Sequence, residues 1–281
     1  MNLDKIISLA LEEDSVSNDI TSKNIIAKDM RANAVLIAKC SGIVCGIDVF
    51  KKVFLRLNKS FTFDILKKDG QKVKKGDIIL KMEGPAYHLL CGERTALNFI
   101  QKLSGIATTT NKFANIVKNT TTHIYDTRKT IPGFRHLSKY AVRCGGGKNH
   151  RMCLEDMVLI KDNHLKLIDA LTKKVQDIRK KHKGILIQVE CETKKHVQDA
   201  LNAQVDLIML DNMKKEQITK MIKFIRQNST EKYKPEIEIS GGVNLNTIKE
   251  FAKLGIDRIS IGMLTHSAPS LDISLKIKVQ K

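Results

Sequence analysis

Arg128, Lys129 and Lys161 each follow closely on a short apolar run in the middle of the chain, and His150 and Arg151 stand between those runs. Arginine offers a planar fork that matches carboxylate and phosphate, and lysine a mobile point charge. Cations delivered together in this way point to substrates rich in carboxylates and phosphates. Two acids, Glu190 and Asp211, end further runs of the same kind. Such a pair could hold Mg²⁺ through oxygen, grip ribose hydroxyls or do acid–base work; salt bridges to nearby lysines are the bland alternative. Mg²⁺ usually takes one or two protein carboxylates and completes its shell with water and substrate phosphate. Ser240-Gly241-Gly242 follows an apolar run and precedes helical spacing, where backbone N–H groups can receive a phosphate. Cys144-Gly145-Gly146-Gly147 forms a second glycine loop, just ahead of Asn149-His150-Arg151.

These residues need elements to position them. From about residue 120 the runs His123–Tyr125, Met157–Ile160, Ile185–Val189, Leu207–Leu210, Ile237–Ile239 and Ile259–Ile261 read as strands. Helical periodicity separates the later ones, over Leu167–Ile178, Ile218–Ile225 and Leu245–Leu254. Alternating strand and helix predicts parallel strands joined by right-handed crossovers. Each run ends in polar residues, and function gathered at strand C-terminal ends marks a β/α barrel. Six strands rather than eight make that barrel incomplete or open. Upstream, Leu3–Leu11 has helical spacing and Asp14–Thr21 reads as a polar loop. Ala34–Ala38, Phe61–Leu66 and Ile78–Met82 read as strands, and Tyr87–Leu103 as a helix bridging to the barrel.

The bulk numbers bound the function. With 281 residues the chain can build one large or two modest cores. Aromatic residues are only 5% of it and tryptophan is absent, which argues against a single-strand nucleic-acid binder that stacks bases. Lys and Arg number 49 against 30 Asp and Glu, a net charge of +19. A nucleic-acid partner, anionic small substrates and a generally basic proteome all fit that charge. Pairs such as Lys173-Lys174, Lys180-Lys181 and Lys214-Lys215 read as solvated helix surface. Cys40, Cys45, Cys91, Cys144, Cys153 and Cys191 show no CxxC pair and no zinc-ligand spacing, so reduced, mostly buried thiols are expected. Glu12, Glu13 and Asp14 follow the first apolar run too closely for a signal peptide, and no stretch has the length of a membrane span. A cytoplasmic protein without membrane or nucleic-acid partners is the expectation.

Longer motifs sharpen the picture. Glu93-Arg94-Thr95-Ala96-Leu97-Asn98-Phe99 and Leu103-Ser104-Gly105-Ile106-Ala107-Thr108 lead to Asp126-Thr127-Arg128-Lys129-Thr130 and Lys139-Tyr140-Ala141-Val142-Arg143. The Cys144 glycine loop, Asn149-His150-Arg151, Leu159-Ile160-Lys161-Asp162-Asn163-His164 and Leu264-Thr265-His266-Ser267 continue the series. Together they resemble the quinolinate phosphoribosyltransferase family over nearly the whole chain, most specifically between residues 93 and 164. Cys153 stands where the family commonly has Gly, and Gln188-Val189-Glu190-Cys191-Glu192 is a looser version of its acidic strand.

The resemblance implies an N-terminal α/β sandwich domain over 1–108 and an open α/β barrel over 109–265, with the tail 266–281 returning to the first domain. It implies a homodimer with a shared active site. Arg128, His150, Arg151 and Lys161 would hold the two quinolinate carboxylates, with Arg94 reaching in from the partner. Lys129, Lys161, Glu190 and Asp211 would stand closest to the chemistry. Glu190 and Asp211 would engage ribose hydroxyls and Mg²⁺, directly or through water. Ser240, Gly241, Gly242 and Gly262 would take the 5-phosphate, and Thr127, Ile261 and Met263 would complete the substrate pocket. The implied reaction transfers phosphoribose from phosphoribosyl pyrophosphate to quinolinate, giving nicotinate mononucleotide, pyrophosphate and CO2 for NAD biosynthesis, with no organic cofactor. Alternatives are a same-fold relative of the type found with molybdate transport and, from another class, a basic nucleic-acid-binding protein.

Overall fold

The computed structural model describes residues 3–278 and divides them into two compact units. The first comprises the described residues up to Asn111, then Thr130–Gly146, and those from Leu264 onward. The second comprises Lys112–Lys129 and Gly147–Met263.

In chain order the strands of the first unit begin with β1 (Arg31–Ala38), β2 (Gly42–Ile43), β3 (Thr62–Ile65), β4 (Lys72–Val73) and β5 (Ile78–Pro85). The second unit carries β6 (His123–Tyr125), β7 (Val158–Ile160), β8 (Ile187–Cys191), β9 (Leu207–Asp211), β10 (Glu236–Ser240) and β11 (Arg258–Ser260). The chain then returns to the first unit as β12 (Ile273–Lys278). There an antiparallel sheet runs β12-β1-β5-β3, with a small β2-β4 pair beside it. β12 pairs with β1 along its length, Leu36 opposite Leu275 and Ala38 opposite Ile273. The helix Ile47–Leu57 buries Phe50, Val53 and Phe54 completely, an apolar stripe at helical spacing.

Three local expectations change. The loop read over Asp14–Thr21 contains a 3-10 turn, Val16–Asn18, and the start of a helix, Ile20–Ile25. Asp19 caps that helix by accepting from the Ser22 N–H at 2.9 Å. The bridging helix runs over Ala86–Val117, well past the expected end at Leu103. Gly105 is a packing residue: a Cβ there would run into the Pro269 carbonyl. The helical spacing over Leu245–Leu254 yields only one α-turn, Ile248–Phe251, and a 3-10 turn, Ala252–Leu254. Asn244 Oδ1 accepts from the N–H groups of Asn246 and Thr247, and this side-chain turn holds the start of the segment out of the helix. Residues Thr130–Gly146 pack with the first unit, where Tyr140 donates to Asp69 at 2.8 Å.

The second unit is an open parallel sheet in the order β6-β11-β10-β9-β8-β7, with β6 and β7 at its edges. Strand residues alternate between faces. On one face stand Ile124, Ile187, Val189, Ile208, Leu210, Ile237, Ile239 and Ile259, all buried. The other face carries Tyr125, Gln188, Glu190, Asp211, Glu238, Ser240, Arg258 and Ser260. Among the described residues no helix is long and apolar enough to cross a membrane.

Candidate functional site

The polar face of the parallel sheet leads to the strand C-terminal ends, where most of the residues singled out from the sequence lie. β8 ends in Glu190-Cys191, β9 in Asp211 and β10 in Ser240. Register places Asp211 opposite Ser240. Lys161 follows β7, and its Nζ donates to Glu190 Oε2 at 2.6 Å. The Glu190 side chain is nearly buried, whereas that of Lys161 is about half exposed. This ion pair joins two residues that were read separately, one for anions and one for metal or ribose. Asp211 Oδ2 accepts from Asn212 Nδ2 at 2.6 Å.

The segments after β6 and before β7 bring the guanidinium groups together. Arg151 is held by a bond from Nη1 to the Met157 carbonyl at 3.1 Å. Burial pushes the Arg151 pKa down, and the positive charge of Arg128 pushes it further the same way. Arg128 Nε is itself buried with no hydrogen-bond partner among the described residues. A buried guanidinium N–H without an acceptor is costly, and two guanidinium groups in mutual repulsion would both be relieved by a bound anion. Thr127 Oγ1 accepts from the Lys129 N–H at 3.1 Å, which shapes this turn, and Lys129 is exposed.

The loop bearing His150 hangs on Asp126. Its carboxylate accepts from Asn149 Nδ2 at 2.6 Å and from the His150 N–H at 2.9 Å. Beneath it lies a group that the sequence did not single out: Gln188, Glu238 and Ser260, all buried. Gln188 Nε2 donates to Glu238 Oε2 at 2.9 Å, Ser260 donates to Glu238 Oε1, and His150 Nε2 lies 3.1 Å from Gln188 Oε1. The available signal was the alternation Glu236-Ile237-Glu238-Ile239-Ser240, which puts Glu238 on the same face as Ser240.

Gly241 and Gly242 adopt φ values of 87° and 66°. A Cβ at Gly241 would collide with Asn212 Oδ1, whereas a Cβ at Gly242 would meet nothing within 4 Å. The turn after β10 is therefore tight on one side and open on the other, which lets an anion approach its amides. Ile261 is buried and donates its N–H to the Tyr125 carbonyl at 3.0 Å, and Gly262 and Met263 beside it are half-buried. Arg94 lies in the other unit, exposed on the helix Ala86–Val117.

The donor set suits a hard cation. Glu190 and Asp211 offer carboxylate oxygens on adjacent strands, and in each only one of the two oxygens takes a bond from another of the described residues. All six cysteines are free, three of them buried. Cys45 and Cys144, which sequence spacing leaves unrelated, converge with Asp69 in the first unit to within 4.8 Å. Asp69 is engaged there by the N–H groups of Gly46 and Ile47 and by Tyr140, so its role is to cap the following helix.

Comparison with known proteins follows the same lines. The family model for the quinolinate phosphoribosyl transferase C-terminal domain matches residues 106–276, and that for the N-terminal domain matches 19–104. The chain is 38% identical, over 99% of its length and 94% of the relative, to a Bacillus subtilis protein named "probable nicotinate-nucleotide pyrophosphorylase (carboxylating)". A Methanocaldococcus jannaschii protein of the same name is 40% identical over 97% of this chain and 96% of its own. The crystal structure of NadC from Streptococcus pyogenes superposes with a TM-score of 0.92 at 38% identity, covering 99% of this chain and 97% of that one.

Proposed function

We propose, since this chain belongs to the quinolinate phosphoribosyltransferase family, that it transfers phosphoribose from phosphoribosyl pyrophosphate to quinolinate with loss of CO2. Nicotinate mononucleotide and pyrophosphate are the other products, and the step serves NAD biosynthesis. The observation that carries the reading is the Arg128–Arg151 pair, with its buried, unbonded Arg128 Nε beside a mutually repelled guanidinium. Two guanidinium groups call for a ligand with two negative charges, and a monocarboxylate would leave one of them uncompensated.

In this reading Arg128, Arg151 and Lys161 bind the two carboxylates of quinolinate; His150, expected among them, has its ring nitrogens engaged with Gln188 and the Arg151 N–H and acts through Arg151. They hold the ring so that its nitrogen faces the anomeric carbon of the donor, and the main gain is orientation. Glu190 and Asp211 engage the ribose hydroxyls and would hold Mg²⁺ together with donor phosphate. When bound, that ion supplies charge neutralisation to the departing pyrophosphate. Lys129 and Lys161 add positive charge on the same side. Thr127, Ser240, Gly241, Gly242, Ile261, Gly262 and Met263 take up the phosphate and line its pocket. Once the ring nitrogen is quaternised it draws electrons from the adjacent ring carbon, and the carboxylate there leaves as CO2.

The reading includes a homodimer whose sites are shared, with Arg94 of each chain completing the partner's pocket. Its support is an exposed arginine on a helix most of whose neighbouring residues are buried. It also includes a cytoplasmic location, supported by the free cysteines. The test is pyrophosphate release by the purified protein. Release is expected only when quinolinate, phosphoribosyl pyrophosphate and Mg²⁺ are all present. Release at full rate in excess chelator would reject the metal role, and no release under any condition would reject the function.

A further inference from the structure

We propose that Glu238, buried beneath the cationic rim, is a positioning residue. Through Gln188 it holds His150 in its Nε2–H form, so that His150 Nδ1 anchors the backbone N–H of Arg151 and fixes that arginine for the acceptor carboxylate. The inference deepens the reading above and rests on it only for the ligand that Arg151 meets.

Glu238 has no exposed surface at all. A bare carboxylate could not stay charged there, and burial alone pushes its pKa up. Donors surround it: Ser260 Oγ on Oε1, Gln188 Nε2 on Oε2 at 2.9 Å, and His150 Nε2 at 3.5 Å from Oε1. Hydrogen bonds from His150, Ser260 and Gln188 oppose that burial and favour the ionised form. With these three donors turned toward it, the carboxylate is a fixed negative charge on the polar face of the sheet.

That charge orders its neighbours in sequence. Gln188 must turn its amide N–H toward the carboxylate, which turns its Oε1 toward His150. His150 Nε2 then faces two acceptor oxygens, Gln188 Oε1 at 3.1 Å and Glu238 Oε1 at 3.5 Å, and only an N–H suits that place. On the other side of the ring, Nδ1 accepts from the Arg151 N–H at 2.9 Å, and only a bare lone pair suits that. The two demands select one neutral tautomer. Asp126, accepting from the His150 N–H, fixes the same backbone from below. Both ring nitrogens of His150 are thus engaged within the protein, and His150 serves the substrate by way of Arg151.

The experiment uses the full ligand-free protein labelled with ¹⁵N-histidine. The His150 resonances are identified by their loss in His150→Asn. At neutral pH the wild type should show protonated Nε2 and bare Nδ1. Glu238→Gln keeps the shape but removes the charge, and its amide can present either a donor or an acceptor to His150. In this variant the His150 signals should show both tautomers. The KM for quinolinate should rise by about tenfold while the KM for phosphoribosyl pyrophosphate moves less than about twofold. A role confined to stability would move neither the tautomer nor that KM ratio in the folded variant, and such a result overturns the proposal. So do equal rises in both KM values. If Glu238→Gln fails to fold, the wild-type shifts decide: His150 protonated on Nδ1, or on both nitrogens, rejects the arrangement. A wild type inactive on quinolinate would sink the proposed function and still leave the nitrogen shifts to judge His150.

Discussion

At the N-terminal ends of the parallel strands, Arg179 meets Asp206, Arg226 meets Asp257 and Arg258 meets Glu236. Each aspartate there also accepts the N–H of a strand residue, Ile187 for Asp206 and Ile237 for Asp257, both at 2.8 Å. At the C-terminal ends of the same strands Arg128 Nε is buried and unbonded, and Arg151 is repelled by Arg128. The lower end has a hollow of about 1010 Å³ lined in part by Arg179, Asp206, Tyr233, Glu236 and Arg258. Its two acids, Asp206 and Glu236, are paired with arginines, and Lys232 and Lys234 also line it. One end uses ion pairs to tie strands together, and at the other Arg128 Nε is left without an acceptor among the described residues. The difference separates structural charge from functional charge on one sheet, as expected where chemistry sits at strand C-terminal ends.

The contrast can be broken most sharply at Arg128. Arg128→Ala should lower kcat/KM for quinolinate by about 10²–10³, the scale for removing one preorganised donor to a reacting anion. Thermal unfolding should change little or improve, because a buried N–H without an acceptor is removed. Steady-state kinetics and a melting curve on the same preparation check both halves.

A second test concerns the proposed homodimer, in which Arg94 would complete the partner's site. Arg94→Ala and Lys161→Ala proteins should each be nearly inactive. Unfolded and reassembled together, about half of the dimers are mixed, each with one intact and one doubly defective site. Recovered activity should reach roughly a quarter of wild type by twofold symmetry. Absence of recovery, with mixed dimers demonstrated, would place Arg94 in its own chain's site.

At the lower rim the effects reverse. Asp257→Ala strands the Ile237 N–H and leaves Arg226 with its bond to the Pro235 carbonyl, and should cost about 1–3 kcal/mol of stability. Activity at a temperature where the variant stays folded should remain within about twofold of wild type. Arg179→Ala removes a half-exposed ion pair and a bond to the Gln204 carbonyl, and about 1 kcal/mol or less is expected by urea unfolding. A large loss of activity in either variant would erase the distinction between the two ends.

Much of the upper rim was legible in the sequence because its parts are local. An apolar run followed by Asp126-Thr127-Arg128-Lys129, or by Lys161, shows a strand and the charge it delivers, and all six parallel strands were visible in this way. The pairing of Lys161 with Glu190 was not, since it depends on β7 lying beside β8, a fact of sheet order. Glu238 was hidden by the opposite cause: inside an apolar strand it registered as part of the strand, and its partners lie 22, 50 and 88 positions away at Ser260, Gln188 and His150. The helix ends were misread where a side chain overrode the periodicity, at Asp19 and Asn244, or where the helix continued past Leu103 with Gly105 serving packing.

The claim that the upper rim accommodates a dicarboxylate is tested most directly by following CO2 and pyrophosphate together. With quinolinate and phosphoribosyl pyrophosphate the account predicts the two in equal amounts, and with nicotinate in place of quinolinate little of either. Nicotinate reacting as well as quinolinate, with pyrophosphate formed and no CO2, would contradict it.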